Sequence, residues 1–147
     1  MNSTKAFFLF LILGLFFQSS IIKAQVIEIT LESTDRTRFN SDEIRVPEGS
    51  IVRLTLIHTG KKSIRRMGHN FVLVEPETDI KDLVKKANRS SYEDHKPKGD
   101  SVIAFTKLIG GGESVTIEFK VPKKGEYPFL CTYNKHYRRM KGLFIVE

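Results

Sequence analysis

The sequence of 147 residues contains a single cysteine, Cys131, and no tryptophan. One cysteine cannot form a disulfide within the chain, so the fold has no internal covalent bridge to stabilise it. A domain of this length can bury a core without one. The glycine run Gly110-Gly111-Gly112 lacks the lysine and the spacing of a phosphate-binding loop, and there is no internal repeat or low-complexity segment. We therefore expect one domain with no nucleotide site of that kind.

The first 24 residues have the pattern of a secretory signal peptide. Lys5 supplies a positive charge, residues 6–17 form an unbroken apolar run, and residues 18–24 are more polar. The apolar run is short for a transmembrane helix but suits the central region of a leader. We predict cleavage near Ala24, which would leave residues 25–147 as a single domain without stable membrane insertion. The alternative is a leader that stays uncleaved and anchors the protein.

Positive charge exceeds negative charge, with 24 Lys and Arg against 17 Asp and Glu and a formal net charge of +7 at pH 7. A basic protein can meet acidic proteins, anionic lipids or nucleic acids. The sequence shows no nucleic-acid motif, and an exported protein rarely needs one. We therefore predict no nucleic-acid partner.

Short segments that alternate between apolar and polar residues dominate the chain after the leader, and turn residues separate them. This pattern is typical of an all-β Greek-key sandwich of about eight strands. One stretch differs, because Ile80, Leu83, Val84 and Ala87 recur at helical spacing after Asp79 and predict a helix over 78–88. The eight predicted strands cover 25–31, 44–46, 51–58, 71–74, 101–105, 114–121, 126–131 and 141–146.

The most informative stretch runs from Cys131 through His136 to Met140, with the spacing Cys-x4-His-x3-Met. A thiolate, an imidazole and a thioether on one loop form a soft mixed ligand set that suits copper in both of its common oxidation states. A trigonal blue-copper site needs a second imidazole, for which His69 is the best candidate. Each residue alone has an ordinary structural explanation, since lone cysteines and methionines are often core residues. The combination predicts a β scaffold that holds one metal ion, which would also protect the lone exported thiol.

Three segments together resemble the azurins, small blue-copper proteins of the plastocyanin/azurin-like cupredoxin family. They are Met67-Gly68-His69-Asn70, the segment Ile-Ala-Phe-Thr-Lys-Leu-Ile-Gly at 103–110, and Cys131 through His136 to Met140-Lys141-Gly142. The resemblance covers nearly all of residues 25–147 and implies a cupredoxin-like fold with one type 1 copper. It also implies a periplasmic, monomeric electron carrier rather than an enzyme. Its partners would be redox proteins such as c-type cytochromes or copper and haem reductases.

The same resemblance implies a role for each site residue. His69, Cys131 and His136 would be the strong ligands, Met140 a long axial ligand, and the backbone carbonyl of Gly68 a weak axial ligand on the opposite side. Asn70 and Thr132 would form hydrogen bonds that join the two ligand loops, although ordinary turn capping would also explain these two residues. Hydrogen bonds of this kind hold ligands in place.

The surface expected around His136 departs from the azurin pattern, in which the exposed histidine emerges through an apolar patch. Met67 and Tyr133 keep apolar or aromatic character, but basic residues surround them. The basic residues are Lys61, Lys62, Arg65, Arg66, Lys135, Arg138 and Arg139. They form either a solvated face or a docking surface for an acidic partner, and in the second case association would depend on salt.

The sequence is also compatible with three other functions. A copper delivery protein would use the same ligands but exchange the metal instead of electrons. An enzyme would use Cys131 as a nucleophile activated by His136 or His69, although no oxyanion motif accompanies them. A metal-free adhesion or scaffold module would use the basic face, and its function would survive replacement of Cys131.

Overall fold

The computed structural model describes residues 24–89, Pro97 and residues 99–147. The predicted signal peptide lies almost wholly outside the described residues, so its cleavage near Ala24 stays a prediction. Within the described ranges no helix is long and apolar enough to cross a membrane.

Eight strands and two short helices follow one another along the described chain. The strands are β1 (Val26–Ser33), β2 (Glu43–Val46), β3 (Ile51–His58), β4 (Val72–Val74), β5 (Val102–Phe105), β6 (Ser114–Lys120), β7 (Gly125–Leu130) and β8 (Lys141–Val146). The helices are α1 (Ile64–Met67) and α2 (Ile80–Arg89), and a single 3-10 turn covers His136–Arg138. The predicted all-β sandwich of about eight strands is confirmed.

The strands form two sheets. One has the order β1-β3-β6 and the other the order β2-β8-β7-β4-β5. β1 runs parallel to β3 and β2 parallel to β8, whereas the other pairs are antiparallel. The hydrophobic alternation read from the sequence reappears as inward and outward side chains, most regularly on β3, where Val52, Leu54 and Leu56 are all fully buried.

Aromatic rings fill the space between the sheets. Phe129 on β7 lies 5.5 Å from Phe71 and 5.6 Å from Phe39 between ring centroids, and Phe119 on β6 lies 5.9 Å from Phe144 on β8. Phe71, Phe129 and Phe144 are fully buried. These rings join both sheets, so the core extends from the middle of the sandwich to the strand end that precedes Cys131.

Helix α2 covers most of the stretch predicted as a helix but begins at Ile80. The carboxylate of Asp79 accepts hydrogen bonds from the backbone amides of Lys81 and Asp82, at 3.0 and 3.1 Å, and so caps the helix one residue before its start. Leu83 and Val84 are buried against Val72, Val74 and Leu130 of the larger sheet. Two of the apolar positions that were predicted from helical spacing therefore pack against the larger sheet.

Two local details differ from the prediction. The stretch between the predicted strands 51–58 and 71–74 contains the one-turn helix α1, which has no buried residue and is too short for an apolar period to reveal. Phe71 lies just outside β4, and its amide donates to the Thr106 hydroxyl at 3.0 Å. This hydrogen bond to a side chain replaces a ladder hydrogen bond, so the strand begins one residue later than predicted.

Candidate metal centre

Three side chains of metal-ligand type converge at one end of the sandwich. The Cys131 Sγ atom lies 3.9 Å from the His69 Nδ1 atom and 3.7 Å from the His136 Nδ1 atom. All three ligand atoms lie within 4.8 Å of one another. With bonds of about 2.0 Å to nitrogen and about 2.3 Å to sulfur, a planar three-ligand site separates sulfur from nitrogen by about 3.8 Å. The two sulfur–nitrogen distances therefore match those of a single metal ion held by all three side chains.

The loop between β7 and β8 positions two of these side chains. Cys131 follows the last residue of β7, and its amide donates to the Met140 carbonyl at 3.0 Å, which extends the β7–β8 pairing by one step. Within the loop, the His136 amide donates to the Tyr133 carbonyl and the Met140 amide to the His136 carbonyl. These turns direct the His136 ring back toward the sulfur.

His69 comes from the opposite side, where a short bridge replaces a strand. His69 and Ile109 exchange backbone hydrogen bonds of 3.0 and 2.9 Å. The ring is fully buried, and its Nε2 atom lies 2.9 Å from the Thr34 carbonyl oxygen. Because a carbonyl only accepts, Nε2 carries the hydrogen, which leaves the Nδ1 lone pair of the neutral ring directed at Cys131.

A third imidazole, that of His58, stacks on His69 and does not point at the sulfur. The two rings stack with centroids 4.7 Å apart. The Gly60 amide donates to His58 Nδ1 at 3.0 Å, so His58 Nε2 carries the hydrogen and donates to the Met67 carbonyl at 2.9 Å. Both ring nitrogens of His58 are therefore engaged, so neither is available to bind a metal ion.

Asn70 and Thr132 connect the two ligand-bearing segments. The Asn70 side-chain amide donates to the Thr132 hydroxyl at 2.8 Å, and the Thr132 backbone amide donates to the Asn70 side-chain oxygen at 2.9 Å. Both residues are fully buried. Since each directly follows a ligand in the chain, this pair fixes the separation of His69 and Cys131 before any metal binds.

Replacing Asn70 by Ala should destabilise the protein and loosen the site. The change leaves the Thr132 amide and hydroxyl buried without their partners, at a cost of about 1–3 kcal/mol for each unsatisfied group. We also expect metal affinity to fall by about 10- to 100-fold, as for other residues that orient ligands. Urea unfolding and a competitive metal titration measure the two effects. Asn40→Ala, at an exposed position, is the control, and equal losses in both variants would contradict this role.

Met140 and Gly68 lie beside the three convergent side chains. Met140 is fully buried and packs in a small cluster with Cys131 and Tyr133. A Cβ atom on Gly68 would lie 2.7 Å from the Ile64 carbonyl oxygen and 2.8 Å from a Leu108 methyl carbon. The backbone before His69 therefore approaches its neighbours too closely for any side chain, and only glycine fits there.

The residues assigned to docking divide into two groups. Lys62, Arg66, Lys135, Arg138 and Arg139 are exposed, and Met67 is half-buried. Tyr133 is only 1% exposed, and its hydroxyl donates to the Arg65 carbonyl at 2.6 Å. The expectation that Tyr133 offers surface to a partner is therefore wrong, because its ring packs inward and attaches the ligand loop to helix α1.

Asn88 connects helix α2 to the ligand loop, a role that was not predicted from the sequence. Its side-chain amide donates to the Val84 and Thr132 carbonyls at 2.7 and 2.8 Å, and its side-chain oxygen accepts the Asn134 amide at 2.8 Å. Asn134 has a positive φ of 50°, a conformation that asparagine tolerates better than most residues. The only sequence signal for this role was the presence of a polar residue beside the apolar face of the predicted helix.

Burial keeps the site neutral in the absence of metal. It raises the pKa of the Cys131 thiol to about 12, although the backbone amides of Asn70 and Tyr133 donate toward the sulfur and act in the opposite direction. It lowers the pKa of His69 to about 4, with a smaller opposing effect from the Thr34 carbonyl. Burial also lowers the pKa of His136 to about 4.

Metal binding at pH 7 should therefore release one proton. The thiol is protonated at pH 7 because its pKa lies far above, and both imidazoles are neutral because theirs lie far below. Only the thiol must lose a proton to bind a metal ion. Calorimetric titration with Zn²⁺ in two buffers of different ionisation enthalpy measures the number. Cys131→Ser should release close to none, and a release of two or three protons by the unmodified protein would contradict this description.

The fold and the site define a class of protein, a β-sandwich in which two imidazoles and one cysteine sulfur converge at a metal-binding centre. Residues 25–147 match the family model described as copper binding proteins, plastocyanin/azurin family. The chain belongs to this family, and the copper expected from its ligand set is the metal that the family binds.

Individual relatives agree with this assignment. The chain is 39% identical over 122 residues to an azurin of Achromobacter denitrificans, covering 78% of this chain and 80% of the azurin. It is 38% identical over 117 residues to outer membrane protein H.8 of Neisseria meningitidis, of which it spans only 63% of the length. Among solved structures, an auracyanin of Roseiflexus castenholzii is 32% identical to this chain, with a TM-score of 0.73. The superposition covers 82% of this chain and 96% of the auracyanin chain.

Proposed function

We propose that the protein is a one-electron carrier with a single type 1 copper, and that it exchanges electrons with redox proteins in the periplasm. The observation that carries the proposal is the convergence of His69, Cys131 and His136, with ligand atoms within 4.8 Å of one another. The azurin and auracyanin relatives, the latter studied in a reduced form, support the electron-carrying role.

Each of the site residues would have a distinct role in holding the copper. His69, Cys131 and His136 would hold the metal, and the Met140 sulfur and the Gly68 carbonyl would be weaker donors to it. Copper supplies a one-electron couple between its two common oxidation states. A thiolate favours the reduced ion and imidazole suits both, so this set accommodates either state. Burial of Cys131 and His69 excludes water from the sulfur and keeps the thiolate from oxidation.

A rigid site suits electron exchange better than metal delivery. The Asn70–Thr132 pair and the hydrogen bond from His69 to Thr34 hold both ligand segments in place in the metal-free protein. A preformed site need not rearrange when the metal changes charge. His136 is the only one of the three strong-ligand candidates that is not fully buried, so a redox partner would approach on its side.

The competing enzyme hypothesis finds little support in the site. A nucleophilic cysteine needs a lowered pKa, whereas burial raises the pKa of the Cys131 thiol to about 12. Neither imidazole is charged at neutral pH, so neither stabilises a thiolate in the metal-free protein. Metal binding accounts for both facts, because the metal itself would drive off the thiol proton.

A periplasmic location is part of the proposal. The leader-like pattern of the first 24 residues supports export. The name of the outer membrane protein H.8 relatives is consistent with a cell-envelope location. Immunoblotting of periplasmic and cytoplasmic fractions would test it, and a protein found only in the cytoplasm with residues 1–24 intact would contradict it.

Repeated redox cycling tests the electron-carrier function against copper delivery. The copper-loaded protein is reduced with ascorbate and reoxidised with hexacyanoferrate(III), in the presence of an excess of a Cu(I) chelator. An electron carrier should complete many cycles with its copper retained. Transfer of copper to the chelator after the first reduction would instead identify a delivery protein.

A further inference from the structure

Several exposed cations at the metal end form no salt bridge with a described residue, whereas the arginines of β2 and β3 are paired. Away from the site, Arg53 on β3 bonds to Glu28 and Glu118, and Arg45 on β2 bonds to Glu43 and Glu147. Among the exposed cations at the metal end that form no salt bridge with a described residue, six line two grooves. They are Arg36, Arg38, Lys81, Lys85, Lys135 and Arg139.

Three of the six surround the partly exposed metal-site histidine. Lys81, Lys85 and Lys135 line an open groove of about 560 Å³ together with the His136 ring, which we call the His136 groove. Lys81 and Lys85 are four residues apart on α2 and therefore share one helix face. The described lining residues include no acidic side chain. The Asp82 carboxylate on the same helix is bonded to Lys86, so none of the three groove lysines forms a salt bridge with a described residue.

A second groove, the arginine groove, is lined by Arg36, Arg38, Arg139 and the half-buried Met67. Asp35 also lines it, but its carboxylate accepts the Lys61 and Lys62 backbone amides at 3.0 and 2.9 Å. These two amides lower the pKa of Asp35, so it stays ionised and held by the backbone. The three arginines have no carboxylate partner of their own among the described residues.

We propose that an acidic protein docks on the His136 groove and the arginine groove, with its surface carboxylates entering both. The inference rests on the proposed function, because it names the kind of redox partner that the site would serve. Unpaired cations on concave surfaces attract an anionic partner over a distance of about 10 Å and orient it as it arrives. The partner would then lie against the only strong-ligand candidate that is not fully buried.

The observations favour a protein over a lipid surface. Proteins that bind anionic membranes combine basic residues with exposed apolar side chains that enter the bilayer. The exposed large apolar residues of the described chain are Val26, Phe105 and Leu143, and none of them lines either groove. Two grooves also match projecting side chains of a protein better than a flat layer of headgroups.

Oxidation of the copper-loaded protein, first reduced with ascorbate to Cu(I), by two probes of opposite charge tests the proposal. The probes are hexacyanoferrate(III), an anion, and tris(phenanthroline)cobalt(III), a cation. We expect the rate with the anion to fall on the order of tenfold from low to physiological salt, and the rate with the cation to rise. Poly-glutamate, the acidic polypeptide probe, should slow the anionic reaction at low salt.

The matched variants are K81E/K85E in the His136 groove and K120E/K123E at exposed positions elsewhere. Lys120 pairs with Ile51 at the start of β3, whereas the site lies beyond His58 at its end. Both variants change the net charge equally. K81E/K85E should slow the anionic probe on the order of tenfold and remove the effect of poly-glutamate. K120E/K123E should change either rate less than about twofold.

Three results would overturn the proposal. The first is a rate with both probes that does not depend on salt, and the second is an equal effect of the two double variants. The third is binding to phosphatidylglycerol vesicles that K81E/K85E abolishes while poly-glutamate has no effect, which would identify a membrane surface. The proposed function fails separately, if the copper-loaded protein exchanges electrons with neither probe.

Discussion

Replacing Cys131 by Ser is expected to abolish the intense blue absorption of the copper-loaded protein and to weaken Cu(I) binding by more than a hundredfold. Loss of a residue that merely orients a ligand costs about 10- to 100-fold in metal affinity, and loss of a ligand itself should exceed that range. A hydroxyl is a hard donor that suits Cu(I) poorly. Competition with a Cu(I) chelator and visible spectroscopy measure the two effects.

The fold should survive this substitution, because Ser is slightly smaller than Cys and can accept the Asn70 and Tyr133 amide hydrogens that reach the sulfur. Thermal unfolding of the metal-free variant is the control for stability. A Cys131→Ser protein that kept the blue colour or bound Cu(I) as tightly as the parent would contradict the assigned ligand. Loss of the metal-free fold would call for the same comparison with Cys131→Ala.

Replacing Phe129 by Ala is expected to lower the free energy of unfolding by about 3–5 kcal/mol. The ring is fully buried, lies between Phe39 and Phe71, and fills the space above Gly142 where no side chain fits. The substitution leaves a cavity that these neighbours cannot close. Because single domains are stable by only about 5–15 kcal/mol, the loss is a large part of the total.

Urea unfolding of the metal-free protein measures the Phe129 effect, since bound copper would add its own stabilisation. Leu143→Ala is a suitable control, because Leu143 is on the neighbouring strand and 42% exposed. It should cost less than about 1 kcal/mol. Phe129→Leu should retain more stability than Phe129→Ala. Equal losses for Phe129→Ala and Leu143→Ala would contradict the packing described here.

The sequence predicted the elements whose signal repeats within a short window. Alternation over eight residues predicted β3, and helical spacing of Leu83, Val84 and Ala87 predicted α2. The distance from Cys131 to Met140 is local, so the spacing of soft ligands alone indicated a metal loop. His69 lies 62 residues from Cys131, and it was connected to the loop by the need for a second imidazole and by the resemblance of its segment to a family motif.

The remaining features depend on contacts that have no sequence pattern. The hydrogen bond that orients His69 comes from a backbone carbonyl, that of Thr34, which any residue would provide. The Tyr133 side chain turns inward because the Arg65 carbonyl accepts its hydroxyl, and Arg65 belongs to a helix of one turn. Lys81 and Lys85 reach the His136 groove only because Asn88 holds α2 against the ligand loop.

The most direct test of the central claim is a titration of the metal-free protein with Cu(II), followed by visible absorption and electron paramagnetic resonance. We expect an intense blue band that saturates at one copper per chain, bleaches with ascorbate and returns on reoxidation. This result would establish a copper–thiolate bond at Cys131. A folded protein with a free thiol that bound Cu(II) and stayed colourless would contradict the account, because its buried sulfur would then not be a ligand.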